Sequence, residues 1–362
     1  MVQDQDVRMS RKRKQTEIMV VLGGGGFIGY HLAHDLHKKY PEALIVAADQ
    51  KSFDKTYFKD LQYLYEYLFC GTASGSLRGG EIVYHNIDLR YYTEVEEMFR
   101  WLNDGLGRVT RIYQLAADLG GAGYLFTGEH DYAIMNNSAR INLNVSEVAK
   151  KYKPDVLFYS SSTCVYPEAS LANTDRVGTS EDTAYPAQPD SEYGWEKLFS
   201  ERLYLALKRN CGINVKIARF HNTYGPYGAW RNGREKSLAA LCRKVAMVND
   251  GGTIEVWGPG TQTRSFLYID DCLDGIEKLV LSDCEGPLNI GSEEKISIND
   301  LAMMIAQVAN KKINIQNVDG PVGIDSRVAD YTLMRTRTGW KPRYSLWRGL
   351  ELTYKWIEHE IK

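Results

Sequence analysis

The sequence lacks a net excess of charge of either sign and also lacks long apolar runs. It has 44 Lys and Arg against 46 Asp and Glu, so its formal net charge is -2. Such a balance gives no global field that would favour nucleic acid or an anionic membrane. No apolar run approaches the ~20 residues of a membrane span, and no apolar signal segment follows the first basic residues. We expect a cytoplasmic protein that contacts neither nucleic acid nor membrane.

Cysteine is also scarce, with six residues in 362. Their spacing has neither the short pairs of a zinc site nor the density of a disulfide scaffold. No metal site is predicted, and most of these thiols are expected to be buried in a reducing compartment. The six are Cys70, Cys164, Cys211, Cys242, Cys272 and Cys284.

The length of the chain predicts more than one unit, because a single domain usually has about 100–200 residues. Residues 1–16 are polar and carry a basic cluster at 8–14, which we interpret as a disordered, solvated tail. We predict a larger first domain at 17–220 and a smaller second domain at 221–362. Residues 243–283 are predicted to return partly to the first domain.

A glycine-rich turn follows the first apolar run, which covers residues 18–22. Gly23, Gly26 and Gly29 fit a G-x-x-G-x-x-G turn, and a helical pattern continues from it. In such a turn the missing side chains let backbone N–H groups and the helix N-terminus meet a pyrophosphate. Phe27 and Ile28, which lie between the last two glycines, are further candidates for contact with the cofactor.

The second apolar run ends in Asp49, 20 residues after Gly29. A carboxylate there can accept hydrogen bonds from both ribose hydroxyls and repels a 2′-phosphate, so NAD is favoured over NADP. Two later strand ends are expected to line the rest of the cofactor, the first at the adenine edge. Their candidates are Asp88 and Leu89 after the first, and Leu115, Ala116 and Ala117 after the second.

Strands alternate with helical stretches along the first 220 residues. This rhythm predicts an α/β fold with a Rossmann-type, doubly wound parallel sheet, followed by a smaller C-terminal substrate-binding domain. In such sheets ligands collect beyond the carboxyl ends of the strands. Each candidate motif follows a predicted strand.

Tyr193 and Lys197 are four residues apart and would share one face of a helix. The ammonium can lower the pKa of the phenol and hold the nicotinamide ribose. A phenolate so prepared can take a proton from a sugar hydroxyl while hydride leaves the same carbon. Ser162 and Thr163 lie where a hydroxyl could donate to the same oxygen.

Cys164 lies in the same Ser-rich strand end. Taken alone, a thiol on such a loop is more often inert packing than a catalytic group. Next to a C4-keto sugar, however, a thiol could remove a proton, because the ketone acidifies the hydrogens on C3 and C5. A thiolate with a modestly lowered pKa could then act as the base.

These motifs resemble the extended short-chain dehydrogenase/reductase family, and within it the epimerases of nucleotide sugars such as GDP-mannose. The resemblance covers most of residues 17–360. It is carried by the segments GGFIG at 25–29, LAADLGGAG at 115–123, SSTCVYPE at 161–168, YGWEK at 193–197, ARFHNTYGPYGAW at 218–230, NGREK at 232–236, WGPGTQTRSFLYIDDC at 257–272 and NIGS at 289–292.

The resemblance implies that Tyr193 and Lys197 serve hydride transfer at C4, while Cys164 and Lys236 act as base and acid at C3 and C5. It also implies tightly bound, recycled NAD and a homodimer. The substrate would be GDP-mannose or a related nucleotide sugar, with Arg264 and Asn222 on its diphosphate. The candidate substrate contacts are Gly121, Gly123, Ser162, Asn222, Lys236, Gln262, Arg264 and Arg327.

Other hypotheses about the function remain open. The same chemistry could act on a GDP-heptose or a non-guanosine nucleotide sugar, or the chain could be a 4-epimerase or a 4,6-dehydratase. A dehydratase usually has an Asp-Glu pair where this chain has Thr163 and Cys164. A silent NAD-binding scaffold is a more remote alternative. The aromatic insertion at 52–80 is expected to form an extra helix near the adenosine end or a dimer contact.

Overall fold

A computed structural model describes residues 16–51, 80–167 and 179–362 of the chain. Several features named above lie outside these ranges. They are the basic residues at 8–14, nearly all of the aromatic insertion at 52–80, Cys70 and Glu168.

The centre of the molecule is a parallel sheet of seven strands. In chain order these are β1 (Thr16–Leu22), β2 (Leu44–Asp49), β3 (Ile82–Asn86), β4 (Gly107–Gln114), β5 (Val156–Ser162), β6 (Val215–Phe220) and a later strand, Leu288–Ile290. The strands lie in the order Leu288–Ile290, β6, β5, β4, β1, β2, β3, and every pair is parallel. The predicted doubly wound Rossmann-type sheet is therefore confirmed.

Helices cover both faces of this sheet. They are α1 (Phe27–Lys39), α2 (Tyr92–Trp101), α3 (Ala122–Leu125), α4 (Asp131–Tyr152) and α5 (Glu192–Cys211). Two buried clusters result, because successive residues of a strand point to opposite faces. In β1, Ile18 and Val20 belong to one cluster, whereas Met19 and Val21 belong to the other. Burial on both faces explains why these strands are continuous apolar runs.

The second half of the chain begins with β7 (Thr223–Tyr224) and continues with short strands and helices. The strands are β8 (Thr253–Trp257), β9 (Thr263–Ser265), β10 (Leu267–Tyr268), β11 (Leu288–Ile290), β12 (Lys295–Ser297), β13 (Asn314–Val318) and β14 (Ser326–Arg327). The helices are α6 (Ser237–Met247), α7 (Ile269–Leu281), α8 (Ile298–Val308), α9 (Thr332–Thr338) and α10 (Leu346–Ile361). Three small sheets pair β10 with β7, β13 with β8, and β9 with both β12 and β14.

The return to the large sheet differs in extent from the predicted 243–283. Helix α7 packs on α1 and β6, and β11 then adds the last strand beside β6. Helix α6 instead packs against α8 and α10. The described chain therefore rejoins the sheet at 269–290, and the domain boundaries remain a prediction.

Two features are absent from the described residues. No helix among them is long and apolar enough to cross a membrane. No group of three or more His, Cys, Asp or Glu side chains in the described ranges could hold a metal ion.

Candidate active site

The glycine turn between β1 and α1 is built so that backbone approaches backbone. Gly23 has φ +86°, and a Cβ there would lie 2.7 Å from the Ala116 nitrogen. A Cβ on Gly29 would overlap the carbonyl oxygen of Gly23. Helix α1 begins at Phe27 after Gly26, and no side chain caps it. Its first N–H groups are thus left for a ligand, as a pyrophosphate site requires.

Asp49 is held beside this turn at the end of β2. Its Oδ2 accepts from the Gly25 nitrogen at 3.0 Å, and its Oδ1 accepts from the Lys51 nitrogen at 3.0 Å. Each carboxylate oxygen has a second lone pair, so both can still accept from ribose hydroxyls. The two acceptor oxygens and their position beside the glycine turn fit NAD.

Asp88 and Leu89 follow β3, as predicted. The carboxylate of Asp88 is already bound by Arg90, whose Nε and Nη2 donate to it at 2.9 and 2.6 Å. Hydrogen bonds from Arg90 lower the pKa of Asp88. Leu89 is buried, and its carbonyl oxygen accepts from Asn144 at 2.9 Å. A contact between the Asp88 carboxylate and an adenine would have to share that carboxylate with Arg90.

Residues 115–117, the third segment predicted to contact the cofactor, follow β4. The Leu115 nitrogen donates to the Leu22 carbonyl oxygen at 2.9 Å, which brings the ends of β4 and β1 together. The side chain of Gln114 donates to the Ala116 carbonyl oxygen at 3.0 Å and accepts from the Ala116 nitrogen at 3.3 Å. The strand order reverses between β1 and β4, so this crevice is where a doubly wound fold binds its dinucleotide.

Tyr193 and Lys197 lie on the first turns of α5, which Ser191 caps by accepting from the Gly194 nitrogen at 3.2 Å. Both side chains are buried. The Lys197 Nζ donates to the Ser160 carbonyl oxygen at 2.8 Å and lies 5.6 Å from the centroid of the Tyr193 ring. The predicted pair is therefore brought together at the end of β5.

The surroundings of Tyr193 oppose the predicted lowering of its phenol pKa. Burial, followed by the nearby Cys164, raises the pKa of the phenol, whereas a hydrogen bond with Ser162 lowers it. Burial also lowers the pKa of Lys197. Desolvation is the largest influence on each group, and it disfavours both charged forms.

Cys164 lies in the turn Thr163–Val165 directly after β5 and is 5% exposed. Its backbone nitrogen donates to the Ser162 Oγ at 3.2 Å. The Nη1 of Arg327 donates to its Sγ at 3.2 Å. Thr163 is also buried, and its Oγ1 has no partner among the described residues.

The thiol pKa also departs from our expectation. Burial raises the pKa of Cys164 and the charge of Asp190 raises it further, whereas Arg327 and the hydrogen bond with Ser162 lower it. The effects that raise this pKa therefore act against the modest lowering that a thiolate base would need. A thiol buried at this depth needs a nearby cation before it can ionise near neutral pH.

Lys236 is the residue that directly precedes α6. Its side chain reaches solvent but is surrounded by protein, and this burial lowers the pKa of the ammonium. Negative charge on Cys164 acts in the opposite direction. The two groups therefore share one site, although 72 residues separate them in the sequence.

The loop before Lys236 packs against the loop after β4. Arg234 donates to the Asp118 Oδ1 at 3.2 Å and to the Tyr124 hydroxyl at 3.1 Å, and its guanidinium carbon lies 4.2 Å from the Tyr124 ring centroid. A Cβ on Gly121 would overlap the carbonyl oxygen of Glu235. We predicted that Gly121 makes room for the sugar, but in the structure its bare backbone makes room for this loop.

The predicted substrate contacts of the second half are mostly engaged with the protein. The Asn222 amide donates to the Ser265 carbonyl oxygen at 3.0 Å, and Gln262 donates to the Trp257 carbonyl oxygen at 3.1 Å. Arg264 donates to two carbonyl oxygens, of Thr263 and Val322, at 2.8 and 2.9 Å. Burial lowers the pKa of Arg264 to about 10.

Two of these residues keep polar atoms without partners in the described part of the chain, namely the Gln262 Oε1 and the Arg327 Nε. Arg327 pairs in register with Arg264 across β14 and β9, which brings both guanidinium groups towards Cys164. Gly123 lies in ordinary contact range of Trp257, with a 3.4 Å distance for an added Cβ.

The sequence profile described as the NAD dependent epimerase/dehydratase family matches residues 19–291. The chain belongs to this family. Membership confirms the resemblance seen in the sequence and the predicted cofactor, NAD, for which the glycine turn and Asp49 provide a fitting site.

The chain is also similar in sequence to individual members of the family. The chain is 37% identical to the GDP-mannose 3,5-epimerase of Arabidopsis thaliana over 94% of its own length and 82% of that protein. It is 28% identical to UDP-glucuronic acid decarboxylase 5 of the same plant, over 92% of its own length and 87% of the relative.

The fold is also similar to that of a solved epimerase structure. The UDP-glucuronic acid 4-epimerase of Bacillus cereus, in complex with UDP-glucuronic acid and NAD, superposes with a TM-score of 0.76 at 25% identity. The superposition covers 95% of this chain and 99% of that one.

Sequence reasoning missed several members of this family site. Arg90 carried no motif of its own, and Asp190 directly precedes the Ser191 cap of α5 without any pattern that points to Cys164. Asp118 and Arg234 stood inside the quoted LAADLGGAG and NGREK segments without an assigned role. A signal was available for these two, since each lies within two residues of a candidate, Ala117 or Lys236.

Proposed function

We propose that this protein is an NAD-dependent epimerase that inverts C3 and C5 of a GDP-hexose, with GDP-mannose as the substrate. The observation that carries the proposal is that the Cys164 thiol and Tyr193 lie in one buried cluster, with Lys236 near enough for its charge to interact with the thiol. The 37% identity to a GDP-mannose 3,5-epimerase supports the choice of sugar and nucleotide.

Tyr193 begins and ends the reaction by moving the proton of the C4 hydroxyl. Lys197, anchored on the Ser160 carbonyl oxygen, lies behind the phenol and stabilises its ionised form as charge develops. Bound NAD supplies the redox step at C4, which makes the overall reaction redox-neutral. Ser162 or the unpartnered Thr163 hydroxyl donates to the same sugar oxygen.

Cys164 and Lys236 carry out the inversion itself. A C4 ketone acidifies the hydrogens on C3 and C5, so the Cys164 thiolate can remove one as a proton. Lys236 then returns a proton to the opposite face of the carbon, and its lowered pKa makes the ammonium a better acid. The enolate oxygen is stabilised meanwhile by donors from Tyr193 and the Ser162 or Thr163 hydroxyl.

The nucleotide diphosphate is assigned to the cationic strand pair of β9 and β14. Arg264 keeps donors beyond the two that bind backbone carbonyls, and a guanidinium has five in all. Charge-assisted bonds of this kind are the stronger class of hydrogen bond. Asn222 and Gln262 are placed as neutral contacts on the same side of the site.

The test is incubation with GDP-mannose in D2O, followed by NMR of the recovered sugar. Deuterium at both C3 and C5 that disappears in Cys164→Ala is the expected result. Cys284→Ala, which removes a thiol far from the site, is the control and should keep the full label.

Other outcomes of this test separate the alternatives. Label at one carbon only would mean an epimerase of a single centre. Inversion at C4 without carbon-bound label would indicate a 4-epimerase. No label with NAD still bound would contradict the choice of substrate, and other nucleotide sugars would then be tried.

We also propose a homodimer, formed through α4 and α5, which pack against each other. Their outer faces expose large apolar side chains, namely Leu143 at 45%, Trp195 at 42% and Phe199 at 48%. Exposed apolar groups on one surface are typical of an interface. Sedimentation should give a dimer for the wild type and a monomer for Phe199→Asp.

A cytoplasmic location is part of the same proposal. The five cysteines of the described ranges are all unpaired. Free thiols are typical of a reducing compartment. Fluorescence microscopy of a tagged copy would place the protein directly.

A further inference from the structure

We propose that Arg327, held by Asp190, is the positioning residue that makes the Cys164 thiol available as a base. The inference rests on the proposed function, since it concerns the same thiol. Arg327 donates from Nη1 to the Cys164 Sγ at 3.2 Å, and its Nη2 forms an ion pair with the Asp190 Oδ2. All three side chains are buried.

The arrangement resembles a nucleophile, its activating group and an orienting group, but with a guanidinium in the middle. A guanidinium is planar and remains protonated, so it can bind two partners at once without exchanging protons with either. It therefore supplies fixed positive charge to the sulfur. It cannot itself act as the acid or base.

Asp190 is anchored so that it can orient Arg327. Its backbone nitrogen donates to the Cys164 carbonyl oxygen at 3.4 Å, and its Oδ1 accepts from the Ser191 hydroxyl at 2.7 Å. Ser191 in turn caps the helix that carries Tyr193. Residues 190–191 therefore contact the Cys164 backbone, orient Arg327 and cap α5, the helix that carries Tyr193.

Charge of both signs faces the thiol. Asp190 opposes its ionisation and Arg327 favours it. Groups on neighbouring elements that also interact with its charge are Tyr193 and Lys197 on α5, Lys236 at the start of α6 and Arg264 on β9. Among these, Arg327 is the cation whose donor contacts the sulfur.

This role differs from the substrate contact that we predicted for Arg327. Each of its terminal nitrogens already donates to the protein, one to sulfur and one to carboxylate. Only Nε lacks a partner among the described residues. Because β14 pairs with β9, the strand directs Arg327 across the site to the turn after β5.

The test measures the thiol itself, on the NAD-bound enzyme without substrate. The rate of alkylation of Cys164 by iodoacetamide, followed by mass spectrometry of its peptide, reports the thiolate fraction as pH is varied. Arg327→Gln removes the fixed charge and should slow alkylation at pH 7.5 by about tenfold, as expected if the thiol pKa rises by about one unit.

Asp190→Asn should act in the opposite direction. The amide oxygen can still accept from Arg327, but the like charge that opposes ionisation of the thiol is gone, so alkylation should become at least ~3-fold faster. Opposite shifts in two variants of one ion pair cannot come from general loosening of the fold. Arg327→Lys should lie between wild type and Arg327→Gln.

Arg108→Gln is the matched control. It removes an arginine that is likewise paired with an aspartate, but whose donors bind Asp155 at 2.8 Å and the Lys153 carbonyl oxygen at 3.3 Å instead of the thiol, so its effect should stay below ~3-fold. Unchanged alkylation in Arg327→Gln, or shifts of the same sign in Arg327→Gln and Asp190→Asn, would overturn the inference. Because no sugar is present, this result is independent of whether the proposed epimerisation occurs.

Discussion

At the scale of single residues, burial moves every catalytic candidate towards its neutral form. It raises the pKa values of Tyr193 and Cys164 and lowers those of Lys197 and Lys236. A phenol or thiol with a raised pKa is a stronger base once ionised, and an ammonium with a lowered pKa is a stronger acid. The site therefore favours proton transfer between its own groups and a substrate.

Asp49 offers a direct test of the cofactor site at the same scale. Its two carboxylate oxygens accept from two backbone N–H groups, of Gly25 and Lys51. In Asp49→Asn one of these N–H groups would face an NH2 group, which should cost about 1–3 kcal/mol. We expect the variant to lose most of its bound NAD and to unfold at lower urea concentration than wild type.

Both effects are measured on purified protein, by the NAD released on denaturation and by urea titration. Asp250→Asn is the matched control, because the Asp250 Oδ1 also accepts from a backbone nitrogen, that of Lys312, at 2.7 Å. The amide oxygen of Asn can keep this single bond, so the control should retain both its stability and its NAD. Full NAD content in Asp49→Asn would count against the assigned site.

At the scale of elements, the position of Lys236 depends on contacts made by the loop before it. Arg234 fixes that loop to Asp118 and Tyr124, and Tyr124 itself donates to the Asp118 Oδ1 at 2.9 Å. The loop after β4 therefore contacts both the glycine turn and the segment that carries Lys236, which we propose as the acid. Movement of either loop would change the distance between Lys236 and a bound sugar.

We therefore predict that Arg234→Met lowers kcat by at least ~10-fold, because a displaced acid costs proton transfer of that order. The free energy of unfolding should change by less than ~1 kcal/mol, since Arg234 is exposed and its ion pair contributes little to stability. Arg231→Met, which removes a nearby arginine stacked on Trp230, should keep kcat within ~2-fold. Equal kcat values for the two variants would contradict a role for Arg234.

At the scale of the whole molecule, local sequence signals predicted the site only where its parts are close in the chain. The glycine turn with Asp49, and Tyr193 with Lys197, were predicted because one βαβ unit or one helical turn brings each group together. The bonds from Arg327 to Asp190 and to Cys164 span 137 and 163 residues. Periodicity and spacing carry no information at such a separation.

Local sequence patterns were equally unable to place β11, the last strand of the sheet. Sequence patterns placed the return of the chain at 243–283, but β11 completes the sheet through pairing with β6, which depends on how α7 packs. At this junction His221, directly after β6, is 3.1 Å from the Asn289 Oδ1 in β11. Its Nδ1 has no partner in the described chain, and burial lowers its pKa to about 3.

This buried imidazole predicts how the junction responds to acid. An unfolded histidine binds a proton below pH ~6.5, whereas folded His221 stays neutral down to pH of about 3. Between these values the unfolded state holds the extra proton, so stability falls as pH falls, by up to ~1.4 kcal/mol per pH unit. Urea titrations from pH 7 to 4.5 should show this slope reduced in His221→Gln, whose amide can still donate to Asn289. The exposed His359→Gln should leave it unchanged, and equal slopes in wild type and His221→Gln would mean that His221 is protonated in the folded protein.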